Sequence, residues 1–326
     1  MPLIPTTESP VAAVATTDPN PNAKPRIFLG LTMGLLAAVI GALYLVYATY
    51  GLARGLKSED ITFLRTSVAG IFMLPVFVYY LCFNVKALTA QWRRWLAVAF
   101  LAGPLFGELV YTAFQFAPPS HGAVFLPAAM SVVGTIFAAV FLADPLTQRK
   151  LLGIGIVIVG LLTLSGVSSA SLTGRASIGD ALFIAAGSMW AGFGVVMRKF
   201  RLDPILATTA AGVFGLAAYA PFYLATEGID RLAHADGSLL AMEIWVQGVL
   251  AGTGTVYTYA KAVESLGAAR AAIFPALVPG LAALMGWPVL GHIPTVTEAI
   301  GLTLAIVGLL VTVTHGVPRN SRSAQT

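Results

Sequence analysis

The sequence predicts an all-α integral membrane protein of ten transmembrane helices, arranged as two inverted five-helix repeats. Three observations predict it. Of the 326 residues, 57% are hydrophobic and only 10% charged, a balance that the surface of a water-soluble domain would not tolerate. The charges are clumped, and the runs between them approach the roughly 17–25 apolar residues that a helix needs to cross a bilayer. Those runs are continuous and not alternating, which excludes membrane strands. Finally, Ala123–Leu162 aligns without a gap onto Ala271–Leu310, with eleven of forty pairs identical. Roughly four would be expected by chance. Such an internal echo, with its two copies set opposite ways in the bilayer, is a construction of transporters that bind a solute between the copies.

The elements follow in order. Residues 1–26 are rich in Pro, Thr and Ala, carry no aromatic residue, and read as a disordered cytoplasmic tail. The apolar stretch behind Lys24 and Arg26 is longer than a signal core and lacks a processing site. The first repeat, 27–166, holds spans Ile27–Tyr50, Ile61–Cys82, Trp95–Phe116, Gly122–Leu142 and Leu151–Gly166. A small, polar segment, 167–177, joins the halves. The second repeat, 178–314, holds Ala181–Met197, Pro204–Thr226, Ile244–Ala262, Ala271–Gly291 and Ala299–Thr314, and 315–326 form a second cytoplasmic tail.

Charge sets the expected orientation. With the N-terminus in the cytoplasm, thirteen basic residues fall in inner connections and four (Arg54, Lys57, Arg175 and Arg231) in outer ones, a positive-inside bias. Five spans per half then place the halves in opposite senses, with the linker outside and both termini inside. Trp92, Trp95 and Trp245 fall at span ends, where the indole N–H can reach the headgroups. The net charge of +5 comes from basic loops on one side and gives no reason to expect nucleic acid. The single cysteine, Cys82, excludes an internal disulfide.

LKSEDITFLRTSVAGIFMLP in the second span, PAAMSVVGTIFAAVFLADPLTQRKLLGIGIVIVG closing the first half, and ESLGAARAAIFPALVPGLAALMGWPVLGHIPTVTEAIGLTLAIVG closing the second carry a resemblance. By their order and spacing the chain resembles the EamA-type branch of the drug/metabolite transporter superfamily over residues 27–314. The resemblance implies transport of amino acids, sugars, nucleosides, amines or drugs. It also implies Glu just after the fourth and ninth helices, where this chain has Asp144 and His292. Asp144 keeps the charge, whereas His292 need not.

Candidate residues follow from depth. Pro127, Pro275 and Pro279 lie inside spans, where proline frees a carbonyl and kinks the helix. They read either as hinges beside a central cavity or as fixed kinks. Gly153 with Gly160, and Gly301 with Gly308, are seven apart, on one helix face, and read as close-packing positions or a dimer face. Glu108 within the third span and Lys261 within the eighth are ionisable groups at membrane depth, which mark pathways. Glu108 reads as a proton carrier or a neutral hydrogen-bonding acid. Lys261 reads as a partner for an anionic solute group, or as a cation snorkelling to the interface. Depth counting sets the two roughly 14 Å apart, so they would act at different levels. Arg65, one turn inside the outer end of the second span, reads either as a group that attracts anions or, more readily, as a cation snorkelling to the interface. Trp190 lies at mid-span, and with Tyr44, Tyr111 and Tyr259 would wall a cavity for an amphipathic or aromatic solute.

No Walker sequence supports an ATP-driven pump. The histidines at 121, 234, 292 and 315 have no metal-ligand spacing, so neither metal nor cofactor is expected. The expected function is a secondary transporter, exporting small metabolites such as amino acids by alternating access. Its partners are the solute, the bilayer and protons as a coupling ion, in a bacterial cytoplasmic membrane, as monomer or homodimer. The alternatives are a membrane-embedded enzyme acting on a lipid or isoprenoid, and a non-transporting membrane partner.

Overall fold

The computed structural model describes residues 23–143, 145–164, 174–267, 271, 274–291 and 295–313. Every element among them is helical. They are α1 Ala23–Ala53, α2 Ser58–Phe83, α3 Val85–Thr89, α4 Trp92–Ala102, α5 Pro104–Ala113, α6 Pro119–Leu142 and α7 Gln148–Leu164. Then come α8 Arg175–Phe200, α9 Pro204–Thr226, α10 Asp230–Ala233 and α11 Gly237–Glu243, a π-helical stretch Ile244–Thr255, and α12 Val256–Leu266. A 3₁₀ turn, Phe274–Leu277, leads into α13 Val278–Leu290, and α14 Val296–Val313 closes the described chain.

Among the described residues, seven runs are long and apolar enough to cross a membrane: Ile27–Ala53, Ser58–Phe83, Trp92–Ala113, Pro119–Leu142, Arg175–Phe200, Pro204–Thr226 and Gly237–Leu266. Shorter apolar stretches lie at Val278–Val289 and Ala299–Gly308. Helix α1 starts at Ala23, four residues inside the stretch expected as tail. Residues 1–22, Asp144, most of the 167–177 linker, His292 and the 315–326 tail lie outside the described residues.

Local chemistry explains the boundaries. At the start of α9 the Asp203 carboxylate accepts the Leu206 N–H at 2.9 Å, with Pro204 in the first turn, where its missing N–H costs nothing. The expected third span is broken. Pro104 cannot donate a helical hydrogen bond, and Gly103 leaves the helical region with ψ −144°, so α4 ends and α5 begins there. The expected eighth span carries the π stretch, whose wider turn no residue pattern announces.

Helix α2 packs on α9, α6 on α8, α7 on α14, and α1 on the π stretch, α12 and α13. Where α7 crosses α14, a Cβ on Gly160 would fall 2.6 Å from the Ala305 N and 2.9 Å from the Gly301 O. One on Gly308 would meet the Val157 N at 2.5 Å and the Gly153 O at 2.8 Å. The two backbones therefore touch. Large apolar side chains such as Phe72, Val140, Leu284 and Trp287 point outward, more than half exposed, as a lipid-facing belt requires. Trp92 is exposed at the start of α4, and Trp245 is exposed within the run Gly237–Leu266, at the head of the π stretch. Trp95 is not part of such a belt. It is buried, because its indole N–H donates to the Ala87 carbonyl of α3 at 3.1 Å.

Candidate functional site

A cavity lies where the helices converge. Its walls include Gly41 and Tyr44 of α1, Arg65 of α2, Phe106 of α5 and Pro127 of α6. Trp190 of α8, Thr255 of the π stretch, Tyr259 of α12 and Pro275 of the 3₁₀ turn complete it. It is narrow beside the roughly 300–1,000 Å³ of small-molecule sites. Only about 40 Å³ of it admits the centre of a water molecule, so a metabolite entering it has to displace the walls.

The walls are mostly rings. Trp190 lies 5.1 Å from Phe106, 5.3 Å from Phe193 and 5.5 Å from Tyr259, centroid to centroid. All are inclined, the geometry that aromatic quadrupoles favour. Thr255 adds a buried hydroxyl with no hydrogen-bond partner among the described residues.

Arg65 is the charge in this wall, and it is 2% exposed. Residue count along α2 alone places it near a helix end, which suggests an interfacial group, and the structure corrects that. Neighbouring helices bury it. The α2 backbone is drawn against the π stretch at Gly252, where a Cβ would fall 2.6 Å from the Arg65 carbonyl. The guanidinium stacks 5.4 Å from both the Tyr44 and Phe106 rings. Its Nη1 donates to the Tyr111 hydroxyl at 3.4 Å. No described carboxylate lies within 4.0 Å of it.

Tyr111 continues inward from the wall. Its O–H donates to the Gln247 Oε1 at 2.8 Å, and the Gln247 Nε2 donates to the Tyr44 carbonyl at 3.0 Å. This polar chain ties α1, α2, α5 and the π stretch together. Of the sequence candidates, the structure brings Trp190, Tyr44 and Tyr259 into one wall with Pro127 and Pro275, and puts Tyr111 directly behind it. Pro279 is buried in the first turn of α13. Glu108 is elsewhere: it accepts from Tyr219 at 2.7 Å and Thr112 at 3.1 Å. Lys261 pairs with Glu264 at 2.5 Å, so nothing joins it to Glu108.

A second polar cluster ties α2 to α9. Asp60, fully buried, accepts from Tyr223 at 2.5 Å and from Arg231 at 2.9 Å, while Glu227 takes bonds from Arg231 and Lys57. These bonds hold the Glu227 carboxyl below its ordinary range, Arg231 contributing most and Lys57 next, and raise Arg231. A vestibule of about 610 Å³ opens at the same end of the bundle, lined by Thr49, Leu56, Lys57, Glu59 and Gln115 among others.

Sequence reasoning missed Gln247 and Glu243, and misplaced Arg65. Glu243 stands one residue before the expected eighth span, where it looks like a loop charge. For Arg65 the signal was there: a guanidinium in FLRTSVAGIF with no acidic residue within a helical turn.

Comparison with known proteins agrees with this architecture. A crystal structure of 18% sequence identity superposes with a TM-score of 0.61, covering 89% of this chain and 97% of its own, which shows a shared fold. Over 209 residues the chain is 26% identical to the uncharacterized transporter YyaM of Bacillus subtilis (strain 168), covering 63% of this chain and 68% of that protein. The model of the EamA-like transporter family matches twice, over residues 28–166 and 177–314. With both matches spanning most of its length, the chain is a membrane transporter that belongs to the EamA-like transporter family, an EamA-type permease of the drug/metabolite transporter superfamily.

Proposed function

We propose that this protein is a secondary transporter for small amphipathic metabolites that carry a carboxylate, with amino acids the leading class and export the expected direction. It works by alternating access between two inverted halves of five spans each. The observation that carries the solute class is Arg65. A guanidinium buried without a counter-charge is costly. A solute carboxylate would supply the missing partner as a bidentate acceptor. The rings of Trp190, Tyr259, Tyr44 and Phe106 would hold the apolar part of the same solute.

Support for the inverted halves comes from the crossing of α7 and α14. The echo makes Gly153 equivalent to Gly301, and Gly160 to Gly308. In space the partners are exchanged: Gly160 meets Gly301, and Gly308 meets Gly153. Such reciprocal contacts are what a two-fold relation between antiparallel copies produces. The two echo prolines, Pro127 and Pro275, likewise meet at one cavity.

The test is uptake into proteoliposomes of labelled amino acids, each paired with the amine that lacks its carboxylate. Wild-type protein is expected to move members of the acid set in preference to their amines. Arg65→Gln is expected to cut that flux about 10- to 100-fold, the value of one charge-assisted pair. Equal flux of acids and amines, unchanged in Arg65→Gln, contradicts the assignment.

A further inference from the structure

Glu243 is fully buried, and neither carboxyl oxygen has a hydrogen-bond partner among the described residues. It closes α11 at the head of the π stretch and faces α1, where a Cβ on Gly51 would fall 2.6 Å from its Oε1. Among the described residues the surroundings supply no counter-charge. From α1 come Gly51 and, just past its end, Leu56. From α5 comes the neutral phenol of Tyr111, within electrostatic range. From α2, Arg65 is turned to Tyr111 and Asp60 is committed to Arg231. On its own strand of helix the polar neighbour is the amide of Gln247, one turn on. Arg54, beyond α1, lies over the Tyr50 ring, and Glu108 is bonded to Tyr219 and Thr112.

A bare carboxylate in such a place is expensive, and a bound proton removes the cost. Glu243 is also near an aqueous route. Leu56 lines the vestibule, and its Cδ1 lies with the Glu243 carboxyl around Gly51. One apolar side chain, 5% exposed, stands at that wall.

On the other side, the Gln247 side chain lies close enough to act on the Glu243 carboxyl, and it is bonded to Tyr111, which accepts from Arg65. Resting on the transport reading above, we infer that Glu243 is a proton-binding site linked to solute occupancy of the Arg65 cavity through Gln247 and Tyr111. The sign follows from charge. A solute carboxylate at Arg65 draws the guanidinium away from Tyr111 and adds negative charge to the same buried network. It therefore favours the neutral acid at Glu243, and by reciprocity the proton favours the solute. No other group changes: the proton enters from water to a Glu243 oxygen and leaves by the same bond.

The experiment is an infrared titration of the carboxyl C=O band of the full chain in lipid, with and without phenylalanine, whose binding is followed independently by tryptophan fluorescence. The wild type is expected to show a protonated-carboxyl band, absent from Glu243→Gln, that disappears as pH rises. Saturating phenylalanine should move that loss to higher pH by about one unit, equivalent to about a tenfold change in affinity. Should Glu243→Gln not fold, Glu243→Asp is expected to displace the band, and an undisplaced band overturns the assignment. Absence of a band assignable to Glu243, or a band whose titration ignores bound phenylalanine, overturns the inference while leaving transport intact. A titrating Glu243 band in protein that does not bind phenylalanine overturns the linkage and the solute reading together, and leaves the proton site standing.

Discussion

Glu227 shows how single side chains set the stability of one end of the bundle. Its carboxylate receives Arg231 at 2.9 Å and Lys57 at 3.0 Å, and those bonds depress its titration below the ordinary glutamate value of 4.5. A depressed acid contributes stability that is fully present above its unfolded value and lost as pH falls through its folded one. The thermal midpoint of purified protein should therefore stay level through neutral and mildly acidic pH, with the Glu227 contribution lost only below 4.5. Arg231→Gln should move that loss to higher pH and lower the midpoint throughout, since it strips the fully buried Asp60 of its cation. A midpoint in Arg231→Gln that tracks the wild type at every pH contradicts this role. At this scale the sequence was half legible. The mid-span depth of Trp190 could be counted from flanking charges, and the structure puts that ring in the cavity wall. The surroundings of Arg65 could not be counted. Tyr44, Phe106 and Tyr111 come from two other helices, and only their packing decides that a guanidinium near a helix end is buried.

Elements were legible where the apolar run was uninterrupted. The seventh span, Pro204–Thr226, starts where Asp203 and Pro204 impose a start. Interruptions were less visible, because Gly103–Pro104 occurs within a run apolar enough to cross as one helix, and hydropathy is blind to the lost hydrogen bond. The π stretch Ile244–Thr255 is similarly hidden, yet it aims Gln247 at Tyr111 and Thr255 at the cavity. The glycines of α7 and α14 carry the clearest prediction for an element. Backbone atoms, which cannot turn aside, occupy the space a methyl group would need at Gly160 and Gly308. Gly160→Ala and Gly308→Ala should each destabilise the protein by about 1–3 kcal/mol, the usual cost of overpacking. Chemical denaturation in mixed micelles would measure it. The double variant should be less than additive, because one separation of the two helices relieves both contacts. Substitutions without effect on stability would show that α7 and α14 can part freely.

For the whole molecule, the echo between residues 123–162 and 271–310 pointed to a repeated construction before any contact was known. What it could not supply was depth in space: which copies of which residues meet. In the structure Pro127 and Pro275 share one cavity, and the glycines pair reciprocally. The carrier proposed above would expose this cavity to either side in turn. Thr255 is suited to testing that claim, because it lines the cavity without a hydrogen-bond partner among the described residues. The sole native cysteine, Cys82, is exposed and can be replaced by serine. In a Cys82→Ser, Thr255→Cys protein, the decisive measurement is labelling by a membrane-impermeant thiol reagent, applied separately to each face of the membrane. The account predicts labelling from both faces, slowed on both by a saturating carboxylate solute. Labelling from one face only, or labelling indifferent to every such solute, would contradict it.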